Sequence, residues 1–234
     1  MLECASLAGR YGRILIFDTE TTGLSPSNDR IIQFSAAVFT RKAQGYQLAQ
    51  QVDRLVALPP GRKVPPKIQS LTGITDADLA QRGIPPAQLC REVEALLDGP
   101  DTLLLAYNAQ FDLSFLYYTL ARDGNPAVLR GKDKLDLLTV YRDRRAYPHR
   151  LENAVAAYGL GGEVHNSHRA MDDVLAAAAV MGAMAAEQDD FIQYINLFGY
   201  SQRYGISGRP IASVTYRPQG YEPGRPLYQA IPVG

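Results

Sequence analysis

Short apolar runs separated by polar segments mark the first part of the chain. The run at 13–17 ends in Asp18 and predicts a buried strand, because short runs rich in β-branched residues favour that structure. Residues 31–40 and 45–58 predict two further strands. Asn28 and Asp29 indicate a turn between the first two. The first three strands are therefore expected to follow one another as a meander.

Strands and helices then alternate. Apolar residues at 102–107 and 135–137 predict two more strands, after a stretch that prolines interrupt. Helical spacing of apolar residues, proline near a start and glycine near an end predict the helices. The whole pattern predicts the α/β class, with a mixed sheet covered by helices. The predicted helices cover residues 67–71, 85–97, 111–122, 138–141, 151–158 and 170–187.

The composition changes beyond residue 187. Prolines and glycines interleave with tyrosines and arginines over residues 188–234, which is typical of an extension rather than of a second core. We expect a domain at 1–187 and a Pro/Gly/Tyr-rich C-terminal extension at 188–234. Aromatic and arginine side chains can stack on unpaired bases, but a flexible or partner-docking extension is the interpretation that we favour.

The charge of the chain restricts how it could hold a polyanion. Lys+Arg and Asp+Glu both number 24, so the chain has no overall positive field. Because 46% of the residues are hydrophobic, the chain is expected to fold as an ordinary globular protein. A nucleic acid would be held locally, through few phosphate contacts or through metal ions. The basic residues of 122–150 predict either a phosphate-contacting rim or, slightly favoured, a mixed solvated surface. Cys4 and Cys90 fit reduced thiols better than a disulfide or a zinc site.

No part of the sequence predicts contact with a membrane. Its first residues lack the apolar stretch of a secretion signal. The most apolar later run, at 174–186, is too short to span a bilayer. We therefore expect a protein that acts in the cytoplasm and has no membrane among its partners.

The first candidate for chemistry lies at the end of the first predicted strand. Side chains two apart in a strand share a face, so Asp18 and Glu20 can direct two carboxylates to one point. Such a pair is costly to desolvate unless a cation lies between the two groups, and hard oxygen ligands suit Mg²⁺ or Mn²⁺. For this pair on its own, two solvated acids at an exposed strand end are the simpler explanation.

Two further groups of residues could bind a ligand or take part in catalysis. Asn108 and Asp112 lie where a predicted strand turns into a helix, which is where open α/β sheets bind ligands. His168 precedes the last long helix, and Asp172 and Asp173 lie in its first turns. The histidine can take a proton from water. Each acid near a helix start also has a structural explanation, since it offsets the helix dipole.

In combination and in this order, the three groups resemble the DnaQ-like family of exonucleases. Members of this family carry four acids and a histidine at these spacings, and they include the proofreading subunit of bacterial replicative polymerases. The resemblance covers residues 13–186 and extends to the segments at 71–75, 135–138 and 149–153. It implies a ribonuclease H-like fold, in which a five-stranded mixed sheet is flanked by helices.

The resemblance also implies a role for each acid and for one histidine. His168 would be the general base, because it keeps the family's spacing whereas His165 does not. Asp173 is preferred to Asp172 for the same reason. The four acids would be catalytic and would hold two divalent cations, either Mg²⁺ or Mn²⁺. These implied ligands are Asp18, Glu20, Asp112 and Asp173.

Contacts to the substrate follow from the same resemblance. The backbone around Thr21 and Thr22 would line the pocket of the terminal nucleotide. Leu24 and Phe111 would contact its base, although Phe111 could equally belong to the core. Asn108 completes the implied substrate-binding set.

These expectations combine into one function and two alternatives. We expect a metal-dependent 3′→5′ exonuclease that hydrolyses phosphodiester bonds at nucleic-acid ends, with single-stranded DNA preferred, in proofreading or repair. A 3′→5′ exoribonuclease of the same family is the first alternative, and a non-catalytic module that binds nucleic acid or a polymerase is the second. The intact set of five residues argues against the module. Expected partners are a DNA or RNA 3′ end and a DNA polymerase subunit.

Overall fold

Five strands and eight helices are present in the described part of the chain, which comprises residues 1–99, 101–162, 169–199 and 208–231 of a computed structural model. Three 3₁₀ helices lie at Pro126–Leu129, Phe191–Tyr194 and Leu227–Gln229. The strands are β1 (Arg13–Thr21), β2 (Ile31–Lys42), β3 (Gly45–Leu55), β4 (Thr102–Ala106) and β5 (Lys134–Asp136). The helices are α1 (Ala5–Ala8), α2 (Pro66–Thr72), α3 (Asp76–Arg82), α4 (Pro86–Leu96), α5 (Ala109–Asp123), α6 (Leu137–Arg144), α7 (Leu151–Ala157) and α8 (Ala170–Glu187).

The strands form one mixed sheet in the order β3-β2-β1-β4-β5. The meander β1-β2-β3 is antiparallel, whereas β4 pairs parallel with β1 and β5 pairs parallel with β4. A parallel step requires a crossover, and α5 provides it between β4 and β5. The predicted mixed sheet of five strands flanked by helices is confirmed.

Helices cover both faces of the sheet, and β1 contributes side chains to each. Ile14 and Ile16 pack in the cluster that contains α7 and α8. Leu15 and Phe17 point the other way, into the cluster that contains α4 and α5. This alternation is the period of two expected of a strand. It continues beyond the apolar run, so that Asp18 lies on the α8 side.

The structure differs from the sequence prediction at several element ends. β1 extends through Thr21, since its polar residues still pair with β2, and β3 ends at Leu55. Helix α3 was not predicted, although Thr75 and Asp78 provide a signal for its start. The Thr75 hydroxyl accepts from the Asp78 amide at 3.1 Å and the Thr75 amide donates to the Asp78 carboxylate at 2.9 Å, which is a capping box.

Part of the chain after α8 packs onto the sheet and its helices. Phe191 and Tyr194 are buried in the cluster on the α8 side. Phe198 and Ile211 are buried in the cluster on the α5 side. The segment at 188–199 and 208–231 therefore shares both apolar clusters with the preceding residues. A domain boundary at 187, where α8 ends, stays a prediction.

None of the helices that the structure describes is both long and apolar enough to cross a membrane.

Candidate active site

Three carboxylates meet beyond the carboxyl end of β1. Asp18 and Glu20 lie two residues apart on the α8 side of the strand, and Asp173 lies in the first turn of α8. One carboxylate oxygen of each lies within 4.8 Å of the others. The spacing along the strand and the approach of α8 thus produce the convergence that the sequence predicted for these residues.

The start of α8 is fixed by side chains from the meander. The amide of Ala170 donates to Oε1 of Gln33 at 3.4 Å, and Nε2 of Gln33 donates to Asp53 at 2.7 Å. Gln33 is buried on β2, and Asp53 lies on β3. Because an unpaired amide at a helix start needs an acceptor, this chain of bonds fixes where the first turn of α8 begins. Asp173 is positioned accordingly.

Asp112 approaches the site from the opposite face of the sheet. It lies in the first turn of α5 and is 2% exposed. Its Oδ1 accepts hydrogen bonds from the Thr19 amide at 3.0 Å and from the Thr19 hydroxyl at 2.7 Å. Thr19 lies between Asp18 and Glu20 and points to the α5 side. Asp112 is therefore held by the residue that separates the two acids of β1.

The beginning of α5 is fixed by Asp136 at the end of β5. Its Oδ1 accepts from the amides of Asn108 and Ala109, both at 3.0 Å, and from Leu138 at 3.2 Å. The hydroxyl of Thr139 donates to the other oxygen at 2.6 Å. One buried carboxylate thus satisfies amides from two chain segments. Asn108 can adopt its positive φ of 71° in this turn.

The acids affect one another electrostatically. Burial, followed by the charges of Asp112, Asp173 and Glu20, raises the pKa of Asp18 well above its usual range. Burial and the nearby acids Asp173 and Asp112 raise the pKa of Glu20 to about 8. Burial raises the pKa of Asp112 to about 7 against the opposing effect of the Thr19 hydrogen bonds, and it raises that of Asp173 to about 7. Like charges that repel in a desolvated space favour protonation or a bound cation.

The donor set fits a divalent cation. Oδ1 of Asp173 is buried and has no hydrogen-bond partner among the described residues. A buried carboxylate oxygen without a donor is costly unless another group neutralises it. Carboxylate oxygens are hard ligands of the kind that Mg²⁺ and similar ions bind. The acidic residues therefore form a site compatible with a divalent metal.

The loop after β1 borders this site. Thr21 and Thr22 are buried, and the Thr22 hydroxyl contacts Asp29 at 3.1 Å. A side chain at Gly23 would approach the Asp29 carboxylate to 2.5 Å, so glycine allows the loop to close around that acid. The loop leaves Leu24 85% exposed beside α5. An exposed leucine held in this way can contact a ligand.

Two cavities lie at the start of α5, and Asp173 lines the second of them. The first, of about 650 Å³, is lined by Leu24, Asn108 and Phe111. The second, of about 400 Å³, is lined by Asn108, His149 and Asp173. Phe111 also packs against Phe115, with ring centroids 4.9 Å apart. It therefore contacts the core and also lines a cavity, and its contact with a base stays a prediction.

Of the three histidines, the structure describes only His149. His168, the predicted general base, and His165 lie outside the described residues. The Nε2 of His149 lies 2.9 Å from the Arg145 carbonyl oxygen and its ring meets Tyr141 edge-on, so this histidine has structural contacts.

Four supporting residues were not identified from the sequence. A signal for Asp136 exists, since it ends an apolar run as Asp18 does. Asp29 was interpreted only as a turn residue. Thr19 and Gln33 had no signal, because their importance comes from partners that are distant in the chain.

Comparison with known proteins agrees with this geometry. Residues 15–181 match the model of the exonuclease family. The DNA polymerase III subunit epsilon of Treponema pallidum is 31% identical over 174 residues, which cover 73% of this chain and 75% of that subunit. The DNA polymerase III PolC-type of Thermotoga maritima is 31% identical over 175 residues, which cover 71% of this chain and 11% of that protein.

A solved structure has the same architecture. Exonuclease I of E. coli, in complex with a dA16 oligonucleotide, superposes with a TM-score of 0.68 at 25% identity. The match covers 78% of this chain and 42% of exonuclease I, so the chain spans less than half of that enzyme. The expectation of a ribonuclease H-like fold is confirmed.

Proposed function

This chain belongs to the exonuclease family, and we propose that it removes nucleotides from the 3′ end of single-stranded DNA with two divalent cations. The convergence of Asp18, Glu20 and Asp173 within 4.8 Å supports this proposal most directly. The charge of Asp112 also acts on both acids of β1. Such a set of oxygens is suited to two-cation hydrolysis of a phosphodiester.

The four acids would hold the cations, which we propose to be Mg²⁺ or Mn²⁺. When bound, two such cations lower the pKa of the attacking water and offset charge on the phosphate and the leaving 3′ oxygen. Asp18, Glu20 and Asp173 contribute oxygens from one face of the sheet. Asp112 contributes from the other, with its Oδ1 oriented by Thr19. Fixed orientation limits the rearrangement that the reaction requires.

We assign the proton acceptor to His168. It precedes Asp173 by five positions in the sequence, which is the family spacing. An imidazole titrates near neutral pH, and its neutral form can accept a proton from the attacking water. The assignment of this role rests on the sequence.

The terminal nucleotide is proposed to bind at the loop after β1 and the start of α5. The backbone at Thr21 and Thr22 would line its pocket, since both residues are buried at the edge of the acidic site. Leu24 and Phe111 present apolar surface for its base, and Asn108 lies between the two cavities. Apolar surface with a few polar groups is typical of ligand sites.

The preference for DNA over RNA and the choice of partner follow from similar proteins. One relative is a subunit of DNA polymerase III, and exonuclease I is bound to a DNA oligonucleotide. We therefore propose single-stranded DNA as the substrate, a polymerase subunit as a partner and the cytoplasm as the location.

Matched strands test the substrate. The protein would be incubated with 5′-labelled DNA and RNA of one sequence, with Mg²⁺, with Mn²⁺ and with a chelator. We expect DNA to shorten faster than RNA, and neither strand to shorten in the chelator. Faster shortening of RNA would contradict the DNA assignment, and cleavage that persists in the chelator would contradict the role of the cations.

A further inference from the structure

The C-terminal segment lines the larger of the two cavities at the start of α5. Leu24, Phe111 and Tyr118 line the cavity from the loop after β1 and from α5. Residues 208–212 also line it. Its volume of about 650 Å³ lies in the range of about 300–1,000 Å³ that is usual for ligand sites. A ligand in this space would thus contact both the family domain and the segment that follows it.

One glutamine holds the segment in place. Gln110 is 8% exposed, and its Nε2 donates to the Arg209 carbonyl oxygen at 2.6 Å. Its Oε1 accepts from the Tyr216 hydroxyl at 2.9 Å, and that hydroxyl accepts from the Ile211 amide at 3.1 Å. A side chain at Gly208 would come within 3.2 Å of Gln110 Cγ. Both ends of one buried amide are therefore used to fix the segment against α5.

The position of the cavity indicates its occupant. Phe111 precedes Asp112 directly in α5, and Asn108 lines both this cavity and the one that contains Asp173. The cavity thus adjoins, at Asn108, the cavity that Asp173 lines. A strand whose 3′ end reaches the acids would extend from them into the adjoining space.

The lining also has the chemistry that a single strand requires. Aromatic side chains on α5, among them the 39%-exposed Tyr118, offer faces on which bases can stack. Arg209, a cationic residue, is also part of the lining. Aromatic faces combined with positive charge are the usual means by which proteins hold unpaired nucleotides.

We propose that residues 208–216, held by Gln110, form the second wall of a groove that binds the nucleotides preceding the 3′-terminal one. This inference rests on the proposed function and assigns to the C-terminal segment a part in substrate binding. Gln110 and Tyr216 are positioning residues, because they act by holding the wall. Tyr118 contacts the strand.

Tyr216→Phe tests the wall by removing one hydroxyl from the network that holds it. Tyr228→Phe is the matched control, since the Tyr228 hydroxyl bonds to Asp190 at 3.0 Å, away from this cavity. Two substrates would be compared: a DNA strand of about 12 nucleotides, within the range of single-strand sites, and the p-nitrophenyl ester of thymidine 5′-monophosphate. The ester fills the terminal position and places only its p-nitrophenyl leaving group beyond it.

For Tyr216→Phe we expect KM for the strand to rise about tenfold, because the wall loses one of the bonds that hold it and bases bind less well against it. Its kcat and its kinetics with the ester should stay at wild-type values. Tyr118→Ala, which leaves the network intact, should give the same pattern. A KM for the strand that stays at the wild-type value in both variants would overturn the groove. An equally large rise in KM for the ester, or for the strand in Tyr228→Phe, would also overturn it.

A binding measurement separates this inference from the proposed function. The dissociation constant of a labelled strand would be measured by fluorescence anisotropy for the wild type and both variants. A wild type that cleaves neither substrate contradicts the proposed function. Weaker binding in Tyr216→Phe and Tyr118→Ala, but not in Tyr228→Phe, would still support the groove, and equal binding in all would overturn it.

Discussion

Thr19 donates its amide and its hydroxyl to the same oxygen of Asp112, at 3.0 and 2.7 Å. The pair joins β1 to α5 across the face of the sheet that is opposite to Asp173. It lets an acid from α5 approach two acids whose side chains point the other way. The position of Asp112 therefore depends on a residue that is not itself acidic.

Replacing Thr19 with valine tests this dependence. The change removes the hydroxyl donor and keeps the shape, and a hydrogen bond to a charged group contributes about 1.5–3 kcal/mol. We expect kcat to fall about tenfold, because Asp112 loses its orientation. Thr119→Val, which alters a different buried threonine that lies on α5, should keep its activity. Wild-type kcat in Thr19→Val would show that Asp112 does not need this bond.

Asp172 and Asp173 allow a test that changes one charge at a time. Only Asp173 belongs to the group of carboxylates within 4.8 Å. Mutating a residue that only supports a metal ligand lowers metal affinity or activity about 10–100-fold. Asp173→Asn, which changes a proposed ligand itself, should therefore lower activity and cation affinity by at least that much. Asp172→Asn should remain within about threefold of wild type. Calorimetric titration with Mn²⁺ and a cleavage assay would measure both, and equal losses in the two variants would contradict the assignment.

The raised pKa values of the acids predict how the metal-free protein responds to pH. Glu20, with a folded pKa of about 8, and Asp173, with one of about 7, titrate near pH 4 when unfolded. An acid whose pKa is higher in the folded state than in the unfolded state stabilises the fold fully at pH values below its unfolded pKa. This contribution is lost as the pH rises through its folded pKa. Without cations, the contribution should therefore disappear between about pH 4 and pH 8.

Thermal unfolding measures this effect. The Tm in a chelator should fall as pH rises toward about 8, and added Mg²⁺ should raise Tm more at about pH 8 than at about pH 5, because cations bind the ionised acids. Glu20→Gln should flatten the decrease. A decrease of the same size in Glu20→Gln would show that other groups cause it.

Asp136 is expected to contribute strongly to the stability of the fold. Asp136→Ala leaves the amides of Asn108 and Ala109 without their acceptor, and each buried unpaired donor costs about 1–3 kcal/mol. We expect the free energy of unfolding to fall by about 3 kcal/mol in urea titration. Asp98→Ala, at an exposed position, should change it by less than about 0.5 kcal/mol. Equal losses would contradict the role of Asp136.

The sequence predicted the elements around the site because each has a strong local pattern. The apolar run of β1 and the alanine-rich stretch of α8 identified a strand and a helix. The spacing of Asp18 and Glu20 indicated a shared face, and the resemblance to DnaQ-like exonucleases, now confirmed by the family match, added Asp112 and Asp173.

What the sequence could not predict depends on contacts between distant segments. Gln33 reaches α8 across 137 positions, and Gln110 reaches Tyr216 across 106. Such pairs leave no periodic signal in either segment. The buried residues after α8 were missed for a similar reason, since a chain rich in proline and glycine can still insert single aromatic side chains such as Phe198 into a core built by other elements.

The central claim is that acids at the end of β1 make this chain a 3′→5′ exonuclease. One measurement tests it directly: a time course with a single DNA strand carrying different labels at its two ends, cut by the wild type and by Asp18→Asn in Mg²⁺. We expect immediate release of the 3′ label as a mononucleotide and a gradually shortening ladder that keeps the 5′ label, with both lost in the variant. Release of the 5′ label first, or equal cleavage by Asp18→Asn, would contradict it.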